Sequence, residues 1–412
     1  MSNFTFAHLA DCHLGGWRDP RMRQVGLDSF KHAIDIALER KVDFIIVAGD
    51  LFNTALPSFD VLREVVAKFQ EVKKTGTPVY YIAGSHDYSP AGKTMLHVLQ
   101  EAELAKDVLS GHMNEHTNKL ELDFIVDEKT GAKLCGILGR SQSLEKTHYE
   151  LLDHESIIYE NGFKIFVFHT TINELKPKEL EDVAAIQMSL LPKNFQYYAG
   201  GHVHIRLNEV IPEFGRIVYP GPTYPNNFLE IEKLETGSFV INTVTDNEIT
   251  NSEFVLLEEK PVISKTLDCN QKSPEQINTE LNEWCDTIDC VDAIITLRLR
   301  GTLIEGATSD LNLRELEDKL NHKGAYMVMK NTTALVQNQF IENIIELESH
   351  DDIEAKVLAE HLDDEKQVNA KSAKKLTVEL MQRLDDLKRD GETVTDYEAR
   401  VKENVLSELD LD

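Results

Sequence analysis

Residues 4–16 read FTFAHLADCHLGG, an apolar run that closes on the polar cluster Asp11-Cys12-His13. The same pattern is written twice more within the next 75 or so residues. Residues 43–50, DFIIVAGD, end in Gly49-Asp50, and residues 78–87, PVYYIAGSHD, end in Gly84-Ser85-His86-Asp87. Each run is short and rich in β-branched and aromatic residues, which predicts a buried strand. Between the runs lie two amphipathic segments. Gln24 to Arg40 carries Phe30, Ile34 and Leu38 on one face, and Pro57 to Lys74 carries Leu62, Val66 and Phe69. Strands alternating with helices predict βαβ units and a largely parallel sheet. In such sheets ligands gather beyond the carboxyl ends of the strands, where all three polar clusters fall.

Downstream, Lys119 to Val126 and Lys133 to Leu138 flank a turn ending in Gly131, which predicts a hairpin. Two more apolar runs end in histidine: FKIFVF, residues 163–168, leads into His169, and FQYYA, residues 195–199, leads into Gly200-Gly201-His202-Val203-His204. From Arg206 to Leu256 alternation dominates and predicts a run of strands. Residues 1–257 are therefore expected to form a catalytic domain and 258–335 a small α+β domain. In the latter, Ser273-Pro274 with Gln276 is a helix-start signature, a second helix is expected from Ser309, and Gly324 stands where that helix should stop. Residues 336–412 read as a helical tail. One apolar stripe there is Leu376, Leu380, Leu384 and Leu387; after Gly391 a second is Tyr397, Val401, Val405 and Leu409. Paired seams of this kind suit docking on a partner helix or coiled coil.

The 412 residues are 28% charged and 42% hydrophobic, with a formal net charge of -28. That balance excludes binding of nucleic acid by bulk positive charge and leaves local patches or metal ions to do it. No stretch is apolar enough to span a membrane. The N-terminus lacks a basic region followed by an apolar one, and the five cysteines are scattered without a C-x-x-C pair, so a reducing, cytoplasmic location is expected.

Asp and His mixed in one site suit Mn, Fe or Zn. Any one of them at a strand end is ordinarily a solvated turn residue. Five such ends in one chain point instead to a shared metal site. Cys12, between two candidate ligands, is expected to pack away from them by alternation. Trp17, Arg18, Arg21 and Arg23 follow the first cluster as an aromatic and three cations, which reads equally as a DNA-phosphate contact and as a solvated loop.

The order D-x-H, G-D, G-S-H-D, strand-end His and G-H-x-H resembles the calcineurin-like metallophosphoesterases. More narrowly, DCHLGG, GDLFNTALPS, AGSHD, HTT, GGHVH and YPGPTYP are similar to the Mre-eleven and SbcD-type DNA repair nucleases. The resemblance implies an α/β fold: a β-sandwich flanked by helices, with a small α+β DNA-capping domain and a C-terminal helical tail. It implies two Mn2+ ions, with Mg2+ less favoured. Asp11, His13 and His204 would hold one ion and His169 and His202 the other, with Asp50 bridging them and Ser85 completing the second site. His86 would face the scissile phosphate as a non-ligand, oriented by Asp87. The implied activity is endonuclease and 3′–5′ exonuclease cleavage in double-strand-break repair. Implied partners are DNA ends, a second copy of the chain and a Rad-fifty-type SMC-like ATPase docked on the tail, with location at the nucleoid. Two positions depart from the pattern. Ser85 stands where the superfamily has a ligating Asn, and Asn53 where these nucleases often have a His linked to exonuclease action. Two alternatives stay open at this point: a phosphoesterase for small substrates, and a non-catalytic repair scaffold.

Overall fold

The computed structural model describes residues 3–89, 94–140, 145–337, 397 and 400–404. In chain order it opens with β1 (Phe4–Leu9), α1 (Pro20–Glu39), β2 (Phe44–Ala48), α2 (Phe59–Thr75) and β3 (Val79–Ile82). Next come α3 (Met95–Glu101), β4 (Lys106–Asp107), β5 (Gly111–Asn114), β6 (Lys119–Leu122), β7 (Ile125–Val126) and β8 (Lys133–Ile137). The chain continues with α4 (Lys146–Glu150), α5 (His154–Ile158), β9 (Lys164–His169), β10 (Tyr197–Gly201), β11 (Arg206–Ile211) and β12 (Gly215–Pro220). After these stand α6 (Phe228–Leu234), β13 (Gly237–Thr245) and β14 (Glu248–Leu257).

Two six-stranded sheets result, in the orders β14-β13-β1-β2-β3-β4 and β11-β12-β10-β9-β8-β7. In the first, β1, β2, β3 and β4 run parallel and β13 joins β1 antiparallel; in the second, β8, β9, β10 and β12 run parallel. Parallel strands covered on both faces need near-continuous apolar sequence, which explains why these runs do not alternate with polar residues. Along β1 the pleat sends Phe4 and Phe6 into an inter-sheet layer with Phe44, Tyr80, Phe163 and Tyr197, while Ala7 and Leu9 pack with Phe30 and Ile34 of α1 and Phe69 of α2. Phe6 stacks on Phe44 at 5.1 Å and meets Tyr197 edge-on at 5.0 Å. Buried aromatics on this scale contribute both area and geometry, so the two sheets are locked in register. The parallel strands of each sheet therefore end at one rim, and all five polar clusters lie there.

The sandwich is the expected fold, with local differences. The first helix begins at Pro20, not Gln24, because Asp19 caps it through the backbone N–H of Arg21 and Pro20 occupies the first turn. Arg21 and Arg23 thus belong to a helix, not to a loop. The predicted hairpin keeps only β7 with β8; β6 pairs with β5, for which no strand was expected. A helix, α6, interrupts the run of strands expected between Arg206 and Leu256.

By backbone contacts the described chain divides into two compact units. One comprises Met1–Thr266, Thr287–Arg298 and Arg314–Asn331; the other comprises Leu267–Asp286, Leu299–Leu313 and the described residues from Thr332 onward. The later elements are β15 (Val262–Asp268), α7 (Pro274–Thr287), β16 (Ile294–Thr302), α8 (Leu313–His322) and β17 (Met327–Val336). Ser273 and Gln276 exchange hydrogen bonds at the start of α7, the reciprocal cap that their spacing predicts. The second helix starts later than expected, because a 3-10 turn at Thr308–Asp310 precedes it. In the tail, Leu376, Leu380, Leu384, Leu387, Val405 and Leu409 lie outside the described residues. Tyr397 and Val401 are helical and half-buried, with the Arg400 guanidinium 5.6 Å from the Tyr397 ring.

Candidate metal centre

Asp11 and His13 leave β1 on a loop laced to the loop after β2. The Asp11 N–H donates to the Gly49 carbonyl at 3.1 Å, and the His13 N–H to the Asp50 carbonyl at 2.9 Å. This lacing holds unusual backbone geometry. Asp11, His13, Asp50, His202 and His204 all have positive φ, between 43° and 101°. For non-glycine residues that costs on the order of 1–3 kcal/mol each and persists only where surrounding contacts impose it. Two glycines give the side chains room. A Cβ on Gly49, itself at φ 84°, would stand 2.2 Å from Nδ1 of His169, and one on Gly84 would stand 2.2 Å from Oδ1 of Asp50. Both glycines of the strand-end motifs are therefore required by close approach.

The donor atoms converge. Nε2 of His13 lies 2.9 Å from Nε2 of His204 and 3.6 Å from Oδ2 of Asp50. Nε2 of His169 lies 3.1 Å from the same Asp50 oxygen, and its Nδ1 lies 3.9 Å from Oδ1 of Asp11. Nε2 of His204 is 3.9 Å from Oδ1 of Asp11. Three groups have ligand atoms mutually within 4.8 Å: Asp11 with His13 and His204, Asp11 with Asp50 and His169, and His13 with Asp50 and His86. Asp50 thus stands between the His13 and His169 sides. Asp11, His13, Asp50 and His169 are almost wholly buried.

Such crowding of acceptors asks for positive charge. Nδ1 of His169 donates to the Ala48 carbonyl at 2.9 Å, so its Nε2 is the edge turned to the Asp50 carboxylate. That Nε2 is buried without a hydrogen-bond partner. Nδ1 of His204 likewise faces a carboxylate, Oε1 of Glu230 at 2.9 Å, which turns its Nε2 toward His13. Two nitrogens at 2.9 Å, and a nitrogen and a carboxylate oxygen at 3.1 Å, repel unless a proton or a cation lies between them. The titration behaviour agrees. Burial works against protonation of His169 and His204, but Asp50 and Asp11 around the first, and Asp11 and Glu230 around the second, overcome it and raise them to about 10 and about 9. Burial lowers His13 and His202 to about 3. Asp50 is held well below the usual carboxylate range despite its burial, by His169 and His13. The donor set of imidazoles and carboxylates around this acceptor cluster fits borderline divalent ions.

The other expected site residues take varied places. His202 donates its backbone N–H to both oxygens of Asp11, at 2.8 and 3.0 Å, and its ring stands edge-on to that of His169 at 5.1 Å. Ser85 is half-buried and places its Oγ 3.4 Å from Oδ2 of Asp50, as donor to the carboxylate. His86 is exposed; its Nδ1 lies 2.9 Å from the Asn53 carbonyl, and its ring meets that of His13 edge-on at 4.7 Å. The expectation that Asp87 orients His86 is corrected by these contacts. Asp87 accepts from the backbone N–H groups of Leu51, Phe52 and Gly84 at 3.1, 2.9 and 3.1 Å, so it braces the two loops instead. Cys12 is buried in the core cluster between α1 and the first sheet, as alternation predicts.

Two of the three arginines are committed to partners within the chain. Arg23 donates to the carbonyls of Trp17 and Arg18, both at 3.0 Å. Arg21 pairs with Asp19 and donates to the Tyr326 carbonyl at 2.9 Å. Of the three, only Arg18 is exposed with its guanidinium uncommitted among the described residues. Glu230 escaped sequence reading, although Asn227-x-x-Glu230 is a helix-start pattern: the Asn227 side chain accepts from the Glu230 N–H at 3.0 Å.

A buried cluster of imidazole and carboxylate groups at the rim of a two-sheet sandwich is the arrangement of a metal-dependent phosphoesterase, and residues 4–206 match the family described as calcineurin-like phosphoesterase. Residues 4–206, just under half of the chain, thus form a domain similar to that family's. Within the class it is similar to archaeal proteins described as DNA double-strand break repair protein Mre11. That of Archaeoglobus fulgidus is 27% identical over 241 residues, 56% of this chain and 52% of that one. That of Methanocaldococcus jannaschii is 29% identical over 286 residues, 66% and 72% respectively. That of Sulfurisphaera tokodaii is 32% identical over 212 residues, 50% of each. The chain thus spans about half the length of two of these relatives and about seven-tenths of the third.

Proposed function

We propose that this chain is a metal-dependent DNA nuclease of the Mre-eleven kind, with two divalent ions, Mn2+ before Mg2+, at the rim cluster. The observation that carries this reading is the convergence of the ligand atoms of Asp11, His13, Asp50, His169 and His204, with His169 Nε2 3.1 Å from Asp50 Oδ2 and His13 Nε2 2.9 Å from His204 Nε2. Asp11, His13 and His204 would hold one ion, His169 and His202 the other, with Asp50 between and Ser85 beside the second. When bound, such a pair draws in a phosphodiester and makes a water nucleophilic.

The chain's own groups do the rest. The carbonyls of Ala48 and Asn53 set the orientation of His169 and His86. His86, its Nδ1 held by the Asn53 carbonyl, would as the imidazolium hand its Nε2 proton to the leaving oxygen and be left neutral. Asp87 keeps the loops carrying Asp50 and His86 in register. Support for DNA as substrate is the similarity to proteins described as DNA double-strand break repair proteins. With a net charge of -28, the chain relies on the ions and on local cations such as Arg18 to approach phosphates. Residues 258–335 would cap the DNA, and residues 336–412 would dock a Rad-fifty-type ATPase on a homodimer at the nucleoid. Among the described residues no helix is long and apolar enough to cross a membrane.

The test is cleavage of single-stranded and duplex-end DNA by the purified protein with Mn2+, Mg2+ or chelator, with and without the ATPase. Mn2+-dependent cutting, and ATPase binding lost on truncation before Lys371, are expected. Hydrolysis of small phosphodiesters with inert DNA would refute the substrate, and undiminished ATPase binding by the truncated chain would refute the docking role.

A further inference from the structure

We propose that Glu230 is a positioning residue for the metal centre, fixing the ring of His204 so that its Nε2 is presented to the cation. The inference rests on the metal-site reading above and assigns a role to a residue outside the ligand set.

The geometry is that of a carboxylate backing a ligand histidine. Oε1 of Glu230 lies 2.9 Å from Nδ1 of His204 and accepts its proton-bearing edge. The opposite edge, Nε2, is the one 2.9 Å from His13 and 3.9 Å from Asp11. A neutral imidazole carries one N–H, so committing Nδ1 to the carboxylate fixes the tautomer that leaves Nε2 as a ligand. The partial negative charge on the ring also makes it a stronger donor.

Glu230 is itself unable to swing away. Its Oε2 accepts the backbone N–H of Asn226 at 2.7 Å, and the Asn227 side chain donates to Oε1. Its neighbour Ile231 is fully buried with Met22, Val25 and Tyr224, which pins α6 to α1. The brace continues past the carboxylate. The Asn226 side chain reaches Oδ1 of Asn53 at 3.4 Å, and the Asn53 carbonyl is the group that faces Nδ1 of His86. Gly16 makes room for that contact, since a Cβ there would stand 2.4 Å from Oδ1 of Asn226.

A helix-capping role alone would be satisfied by the Asn227 and Glu230 exchange, so the two roles need separating. Mn2+ binding is measured by titration calorimetry on the full chain for wild type, Glu230→Ala, Glu230→Gln and Asn227→Ala, with thermal unfolding as the fold control. Glu230→Ala is expected to weaken one of two Mn2+ sites by roughly 10–100-fold, the usual cost of losing such a partner. Glu230→Gln, whose amide oxygen still accepts from Nδ1, should recover most of it, and Asn227→Ala, which removes the cap and one bond to Glu230 but leaves the carboxylate on His204, should lose much less than Glu230→Ala. Wild-type affinity in Glu230→Ala, or an equal loss in Asn227→Ala, would overturn the positioning role while the metal site stood. A wild-type protein that takes up no Mn2+ would overturn the metal-site reading and this inference with it.

Discussion

Acidification should strip the metal centre in a way whose steepness is set by two imidazoles. His169 and His204 are raised to about 10 and about 9, chiefly by Asp50 and Asp11 acting against burial. Without metal both therefore carry an extra proton at neutral pH, and those protons occupy the places where cations would bind. Loading the site must expel them, so the sign is fixed: affinity rises with pH until His204 and then His169 lose their protons unaided. Below both values each displaced proton costs about tenfold, about 1.4 kcal/mol, per pH unit. Two protons over a fall from about pH 8 to about pH 6 amount to about 10⁴ in the product of the two association constants, about 5 kcal/mol. His13 and His202, lowered to about 3 by burial, are already neutral and release nothing. Asp11, raised by burial, can only add to the release. The assay is Mn2+ titration calorimetry in buffers of different ionisation enthalpy at several pH values. Heats independent of the buffer, with affinity flat across this range, would refute the account of His169 and His204.

Replacing His86 with Ala should leave Mn2+ content unchanged and cut DNA cleavage by roughly 10²–10⁴-fold, because His86 is exposed and its Nδ1 is held by the Asn53 carbonyl; metal content falling together with rate in a His86→Ala assay would show it to be a ligand. Ser85→Asn should tighten the second Mn2+, since the Ser85 hydroxyl spends its proton on Asp50 at 3.4 Å and an amide oxygen is the better ligand. Unaltered second-site affinity by calorimetry would mean that the short side chain is compensated by another donor.

Much of the centre is legible in the sequence because parallel strands, buried on both faces, advertise themselves as apolar runs. The polar residues at the end of each run must then lie on one rim. Asp11, Asp50, Ser85, His169 and His202 could be placed together on that logic alone. Features set by tertiary contact were not readable. Nothing local in FVINTVT says that β13 pairs with β1 in place of another strand. Asp87 looks like a partner for the adjacent His86, yet three backbone N–H groups from two loops claim it. Arg21 and Arg23 look like free cations, but the Asp19-Pro20 helix start turns them onto Tyr326, Trp17 and Arg18. The helix carrying Glu230 was hidden for another reason. Its signal, Asn227-x-x-Glu230, is present, but the helix has only seven residues, too few for apolar periodicity to stand out against the flanking strands.

The bridging position of Asp50 is the point on which the account turns, and anomalous diffraction at the Mn absorption edge tests it directly. Crystals of wild type and of Asp50→Ala would be compared after loading with Mn2+. The account predicts two peaks about 3.5–4 Å apart in the wild type, flanking the Asp50 carboxylate, and the loss of both in the variant. Two undisturbed peaks in Asp50→Ala would contradict it.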